Sequence, residues 1–166
     1  DLSSRKAMGG FRVAFASGSQ GHEVDFALIA ADIGRFLAED PARKLVLLGH
    51  FDVTLLPAAL RDQVETHKFT DYADYLTNLA GCHAAVMPLT DDIFNRCKSA
   101  VRVLDATAVG VPVIVPDVGD FSAVVKQGKT GFVLSQDQAR SGGWYNALDQ
   151  LASDRPAALA MGTAAA

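Results

Sequence analysis

The sequence predicts an α/β fold, a doubly wound, Rossmann-like parallel sheet with helices on both faces. Strand-type and helix-type patterns alternate about six times along the chain, the order that builds such a sheet. The run Val111–Val115 is almost wholly apolar, as a strand covered on both faces requires. The first apolar run ends in Ser17-Gly18-Ser19-Gln20-Gly21, a turn at the kind of strand end where ligands of these sheets collect.

Phe11–Ser17, with Val13 and Phe15, is a short run bounded by turn residues and reads as a buried strand. Phe26, Ile29, Ala30, Ile33, Phe36 and Leu37 recur at helical spacing, which predicts an amphipathic helix over His22–Glu39. Lys44–Leu48 is the second strand, closed by Gly49. Leu55–Val64 is expected as a shorter helix with Pro57 tolerated in its first turn. A short strand is expected at Thr66–Phe69, a helix at Tyr72–Ala80 and a strand at Ala84–Leu89. Ser99–Val109 is expected as a helix closed by Gly110, followed by the strand Val111–Val115. A short helix at Phe121–Lys126, a strand at Gly131–Leu134, and helices at Ser141–Leu151 and Pro156–Met161 complete the reading.

The chain has 166 residues, enough for one domain with a real core. Residues 1–10 read as a polar, glycine-ending lead-in or linker, and residues 11–163 as a single domain. The chain opens on Asp1, and is expected to be a piece of a longer protein. A net charge of −4 argues against a nucleic-acid coat or a polybasic membrane patch, so an anionic ligand must be held by local groups. Cys82 and Cys97 have neither metal-type spacing nor a disulfide framework, which points to a reduced, cytoplasmic setting. No apolar run approaches the ~20 residues that span a bilayer. The four histidines are dispersed, so no metal site is expected, and His67 and His83 are expected to be structural. Asp91-Asp92 reads as a solvated turn, and Trp144 as an anchor for the last long helix.

Two stretches carry candidate chemistry. In Ser17–His22, glycines allow close approach of the backbone and free amides at a helix start attract anions. The spacing is neither a dinucleotide fingerprint nor a P-loop, and a capped tight turn explains the same residues. In the second stretch, Val101, Leu104 and Ala108 lie at helical spacing and define an expected buried stripe, with Asp105 on the same side. A carboxylate there must be paired or hydrogen-bonded. If the helix reaches back to Lys98, Lys98 and Asp105 project from nearly one line, two turns apart. A cation with free amides suits a diphosphate, and a carboxylate two turns on can accept two ribose hydroxyls. An internal ion pair from Arg102 to Asp105 is the alternative, and spacing leaves both open.

The ordered set Pro88-Leu89, Phe94-Asn95-Arg96-Cys97-Lys98-Ser99, Leu104-Asp105-Ala106 and Gly110-Val111-Pro112-Val113 resembles the donor domain of family-4-like (group 1) bacterial glycosyltransferases, the carboxyl-terminal half of a GT-B fold. Ser17-Gly18-Ser19 with His22, Asp25 and Phe26 resembles that group's first strand–helix junction, and Phe121, Gly128, Gly131 and Trp144 extend the likeness to about Met161. The resemblance implies a domain that binds a nucleoside diphosphate sugar as donor, without a cofactor or bound metal. A separate amino-terminal domain would hold the acceptor, a glycan or other molecule as in polysaccharide biosynthesis, and the isolated domain would be inactive. Carried over residue by residue, Asp105 matches the glutamate that holds ribose hydroxyls. Lys98, Ser99 and the Ala100 amide match the region facing the diphosphate, and Gly18 and Ser19 match the first loop. Cys97 stands where many relatives have an acidic residue that contacts the sugar, and Asp105 is one methylene shorter than glutamate. A nucleotide-sugar epimerase-like enzyme and a non-catalytic interaction domain of the same fold are the rival readings. A flavodoxin-like or receiver module shares the alternation, but Ser17–Gly21 lacks a receiver's acidic cluster.

Overall fold

Six strands, β1 (Arg12–Gly18), β2 (Lys44–Gly49), β3 (Val64–His67), β4 (Ala84–Val86), β5 (Val113–Pro116) and β6 (Gly131–Leu134), form one parallel sheet in the order β3-β2-β1-β4-β5-β6. The computed structural model describes residues 9–18 and 22–166. Most of the expected lead-in (1–8) and Ser19, Gln20 and Gly21 of the first loop lie outside the described residues. Among the described residues the helices are α1 (Glu23–Ala27), α2 (Ala30–Ala38), α3 (Tyr72–Ala80), α4 (Ile93–Arg96), α5 (Val101–Ala108), α6 (Phe121–Val124), α7 (Gln136–Arg140), α8 (Gly143–Ser153) and α9 (Arg155–Ala165). Strand order reverses between β1 and β4, which makes their carboxyl ends the topological switch point.

The two-residue alternation of strands sorts the core into two layers. Val13 and Phe15 of β1 and Leu45 and Leu47 of β2 pack with Phe26, Ile33, Phe36, Trp144 and Leu148, on the side covered by α1, α2 and α8. Ala14, Val46 and Leu48 face the opposite way, toward Leu79 of α3 and Val103 and Ala106 of α5. Large aromatics fill the first layer, whereas the second is mostly small and branched residues, with Phe121 and Met87 among them. Trp144 is 2% exposed and anchors α8, as expected. The main-chain N–H of Tyr145 donates to Asp32 Oδ2 at 3.1 Å, and its hydroxyl donates to Glu39 Oε1 at 2.8 Å, seating α8 on α2.

Several boundaries differ from the sequence reading. The expected helix His22–Glu39 is two helices, because the Leu28 and Ile29 N–H groups donate to Asp25 and Phe26, three residues back, and tighten the turn between them. The expected helix Leu55–Val64 is two 3₁₀ stretches, Val53–Leu55 and Ala58–Gln63, separated by Pro57 in extended geometry (ψ 136°). Gln63 then donates to the carbonyls of Leu37, Asp40 and Arg43 at 2.9, 3.0 and 3.0 Å, so Val64 enters β3 two residues earlier than expected. β4 stops at Val86, ahead of Pro88, which has no N–H for a ladder. The expected helix Ser141–Leu151 is α8, which starts at Gly143 after Gly142 in the left-handed region and runs on to Ser153, and α7 before it was not expected. His83 is structural as expected: its Nδ1 accepts the Arg12 N–H at 3.0 Å and its ring stacks on Phe11.

The largest correction concerns α5. Val101 and Leu104 are each 54% exposed and Ala108 is exposed as well, whereas Val103 and Ala106 are buried. The helix turns its small-residue face to the sheet, since β5 and the short residues of β4 leave room for little more. The helix also begins at Val101, so Lys98 and Asp105 do not project along one helical line.

Candidate functional site

The carboxyl end of β1 is shaped by a register shift. Ala16 pairs with Leu48 and Gly18 with Gly49, which leaves Ser17 as an extra residue whose hydroxyl donates to the Leu48 carbonyl at 3.3 Å. Such bulges bend the strand and increase its local twist. Gly49 has φ 111°, and a β-carbon there would lie 2.8 Å from the Gly18 nitrogen and 2.9 Å from its carbonyl oxygen. The close approach of these two strand ends therefore requires glycine at position 49. Gly18 is also left-handed (φ 59°), but a β-carbon there would meet only open space.

These strand ends open onto a cleft of about 260 Å³. Its floor is Ala16 and Gly18 of β1, Leu48 and Gly49 of β2 and His67 of β3. One wall is the loop Lys68–Thr70 with Tyr72, Tyr75 and Asn78 of α3, and the other is Arg102 and Asp105 of α5. His67, expected to be structural only, thus lines the cleft. The lining is mainly apolar and aromatic with a few convergent polar groups, the character of a small-molecule site.

Asp105 is half-buried in this wall, and the Tyr72 hydroxyl donates to its Oδ1 at 2.6 Å. The hydrogen bond to Asp105 raises the titration of the Tyr72 hydroxyl. Burial, followed by the negative charge of Asp105, pushes that of Tyr75 well above its ordinary value. The ion pair that spacing allowed between Arg102 and Asp105 is not formed. Arg102 turns instead toward β1, where its Nη1 donates to the Ala16 carbonyl at 3.2 Å. A carboxylate and a guanidinium three residues apart thus stand in one cleft without neutralising each other.

A second polar cluster ties the switch point together. Asp25 is 5% exposed, and its Oδ1 accepts both the N–H and the hydroxyl of Thr90 at 3.0 Å each. Its Oδ2 accepts from His22 Nδ1 at 3.1 Å. Burial works to raise the Asp25 carboxyl, but the bonds from His22 and Thr90 outweigh it and hold the group below its ordinary value. Asn95, also buried, donates to the Thr90 carbonyl and to Asp92 Oδ2, each at 2.9 Å. Asp92 caps α4, and Asp91 pairs with Arg96, so the Asp91-Asp92 turn is exposed as expected.

The expected site residues divide. Gly18 and Asp105 share the cleft. Lys98, Ser99 and Ala100 lie in the link between α4 and α5 and do not line it. Lys98 is half-buried, with its ammonium 4.9 Å from the centre of the exposed Phe94 ring. Ser99 is exposed, and the carbonyl of buried Ala100 accepts the first N–H bonds of α5. Ser19 lies outside the described residues. Arg102, Tyr72 and Tyr75 also line the cleft and were not among the expected site residues. Helical spacing puts Arg102 and Asp105 on one side of α5 and could have found the first, whereas the approach of α3 to α5 has no local signal. Among the described residues no group of His, Cys, Asp and Glu is placed to hold a metal ion, and no helix is long and apolar enough to cross a membrane.

The fold matches solved glycosyltransferase domains. The carboxyl-terminal domain of a group 1 glycosyl transferase (LpcC) from Francisella tularensis superposes with a TM-score of 0.73 at 14% identity, covering 99% of this chain and 87% of that one. WaaG, a glycosyltransferase involved in lipopolysaccharide biosynthesis, gives 0.74 at 13% identity, over 99% of this chain and 44% of its own. Anabaena HepE, solved with UDP-glucose, gives 0.72 at 15% identity, over 99% and 46%. The chain therefore spans most of an isolated carboxyl-terminal domain but under half of these two longer chains. No curated protein sequence matches it. The sequence model of the glycosyl transferases group 1 matches residues 12–154, nearly the whole sheet and its helices. With a doubly wound sheet whose cleft lies at the carboxyl ends of its strands, the chain belongs to the group 1 glycosyltransferases.

Proposed function

We propose that this chain is the donor-holding domain of a glycosyltransferase, and that its cleft takes the nucleoside part of a nucleoside diphosphate sugar. The observation that carries the reading is Asp105: a half-buried carboxylate in an aromatic-walled cleft, held by a tyrosine hydroxyl and with no cation paired to it among the described residues. A carboxylate accepts through about four lone-pair sites, so the Tyr72 bond leaves capacity for two ribose hydroxyls. The apolar floor and the aromatic rings of Tyr72 and Tyr75 offer a flat base the surfaces it stacks on. HepE, solved with UDP-glucose, shares the fold and makes a nucleotide-sugar the natural class of ligand. Gly18 in the cleft floor contributes to the donor site, and Lys98, Ser99 and the Ala100 amide before α5 form its outer part, with Ser19 assigned to it by the family pattern alone. There, charge growing on the leaving diphosphate would be stabilised by cation and amides. No metal or cofactor enters this account.

Residues 11–163 act as one unit. Transfer requires an acceptor-holding domain supplied by a longer protein, so the chain alone binds donor without moving sugar. A titration with UDP, GDP and their sugars tests the reading, repeated with Asp105→Ala and Lys98→Ala. Binding weakened by the first substitution supports it. Absence of binding, or indifference to both substitutions, overturns it.

A further inference from the structure

We propose that Arg102, and not a residue of the first loop, supplies the cation that meets the diphosphate inside the cleft; the proposal rests on the donor-site reading above. A ligand with two phosphates entering a protein of net charge −4 needs a local positive group. The first loop from Ser17 to Gly21 contains neither lysine nor arginine. Lys98 sits outside the cleft, over the face of Phe94, and Lys68 lines it only as an exposed residue of the loop after β3, two strands from the bulged end of β1.

Arg102 has the required placement. Its side chain forms part of the cleft wall and reaches to the Ala16 carbonyl, at the bulged end of β1 where the strands leave open space over Gly18. A guanidinium carries five N–H donors, and the Ala16 carbonyl takes one at 3.2 Å. No carboxylate lies within ion-pairing distance of it among the described residues. The nearby Asp25 has both oxygens engaged by Thr90 and His22. A partly desolvated cation with spare donors facing a cleft is costly unless an anion completes it. The fork geometry of arginine suits two phosphate oxygens at once. The three-residue offset sets Arg102 and Asp105 apart along one side of α5, one for phosphate and one for ribose.

The test compares nucleoside with nucleoside diphosphate. Wild type, Arg102→Met and Arg102→Lys are titrated calorimetrically with UDP and uridine, and with GDP and guanosine. Arg102→Met keeps the aliphatic stem that packs the wall, and a melting curve of each variant reports folding. Expected is a loss of about tenfold or more in UDP or GDP affinity for Arg102→Met, a smaller loss for Arg102→Lys, and unchanged nucleoside affinity. Should Arg102→Met not fold, the Arg102→Lys comparison decides: loss confined to the diphosphate supports the proposal, and equal losses overturn it. Equal losses for nucleoside and diphosphate mean that Arg102 only braces the wall, and undiminished diphosphate binding means that it makes no contact. Either result overturns the proposal and leaves the donor-site reading standing. A wild type that binds no nucleoside diphosphate overturns both.

Discussion

Replacing Asp25 tests the polar bridge that fixes the switch point. Asp25→Ala removes two bonds from Thr90 and one from His22, all to a carboxylate that is 5% exposed. Charge-assisted hydrogen bonds contribute roughly 1.5–3 kcal/mol each when buried. Thr90 and His22 keep some access to water and recover part of that. The net cost is set at about 3 kcal/mol, equivalent to a fall in Tm of roughly 6–12 °C for a domain of this size. Asp25→Asn keeps an oxygen for both Thr90 donors and costs about 1 kcal/mol. The assay is urea unfolding followed by fluorescence of Trp144, the single, buried tryptophan, with the slope m expected unchanged. Because the folded carboxyl titrates below the unfolded one, the bridge contributes fully above the ordinary carboxylate range and is lost as pH falls through the lowered folded value. The acid limb of the stability curve is therefore shallower in Asp25→Asn than in wild type. Asp25→Ala within about 0.5 kcal/mol of wild type, or Asp25→Asn as damaging as Asp25→Ala, refutes this account of the bridge.

Gly49→Ala forces a side chain into the left-handed region and against the Gly18 backbone; urea unfolding should show a loss of about 2 kcal/mol or more, and a neutral result contradicts the close approach of the two strand ends. Tyr72→Phe frees Asp105 to rotate, so calorimetry should show nucleoside diphosphate binding weakened by about threefold to tenfold; tighter binding means that the hydroxyl competes with the ligand. EDTA should leave UDP and GDP affinity unchanged, and restoration of binding by added Mg²⁺ or Mn²⁺ after its loss would refute metal-independent binding.

The sheet was legible because its strands are short apolar runs closed by turn residues, and Gly131–Leu134 and Tyr72–Ala80 have the expected limits. α5 was read on the wrong face. Its exposed side carries Val101 and Leu104, more apolar than the valine and alanine it buries, so the larger residues misled the pattern. Proline and side chain–backbone bonds decided the segment between β2 and β3, where Gln63 reaches three carbonyls far away in sequence. Asp105 was legible as a carboxylate needing a partner. Its partner was not, because Tyr72 comes from another helix. The opposite orientation of Arg102 likewise depends on a carbonyl at the end of β1, which only the assembled sheet puts within reach.

The most direct test of the central claim is calorimetric titration of this chain and its Asp105→Ala variant with UDP, GDP and their sugars. The account predicts saturable one-site binding of at least one nucleotide, weakened by about tenfold or more in the variant with its fold intact. No binding by the wild-type chain, or equal affinity in the variant, would contradict it.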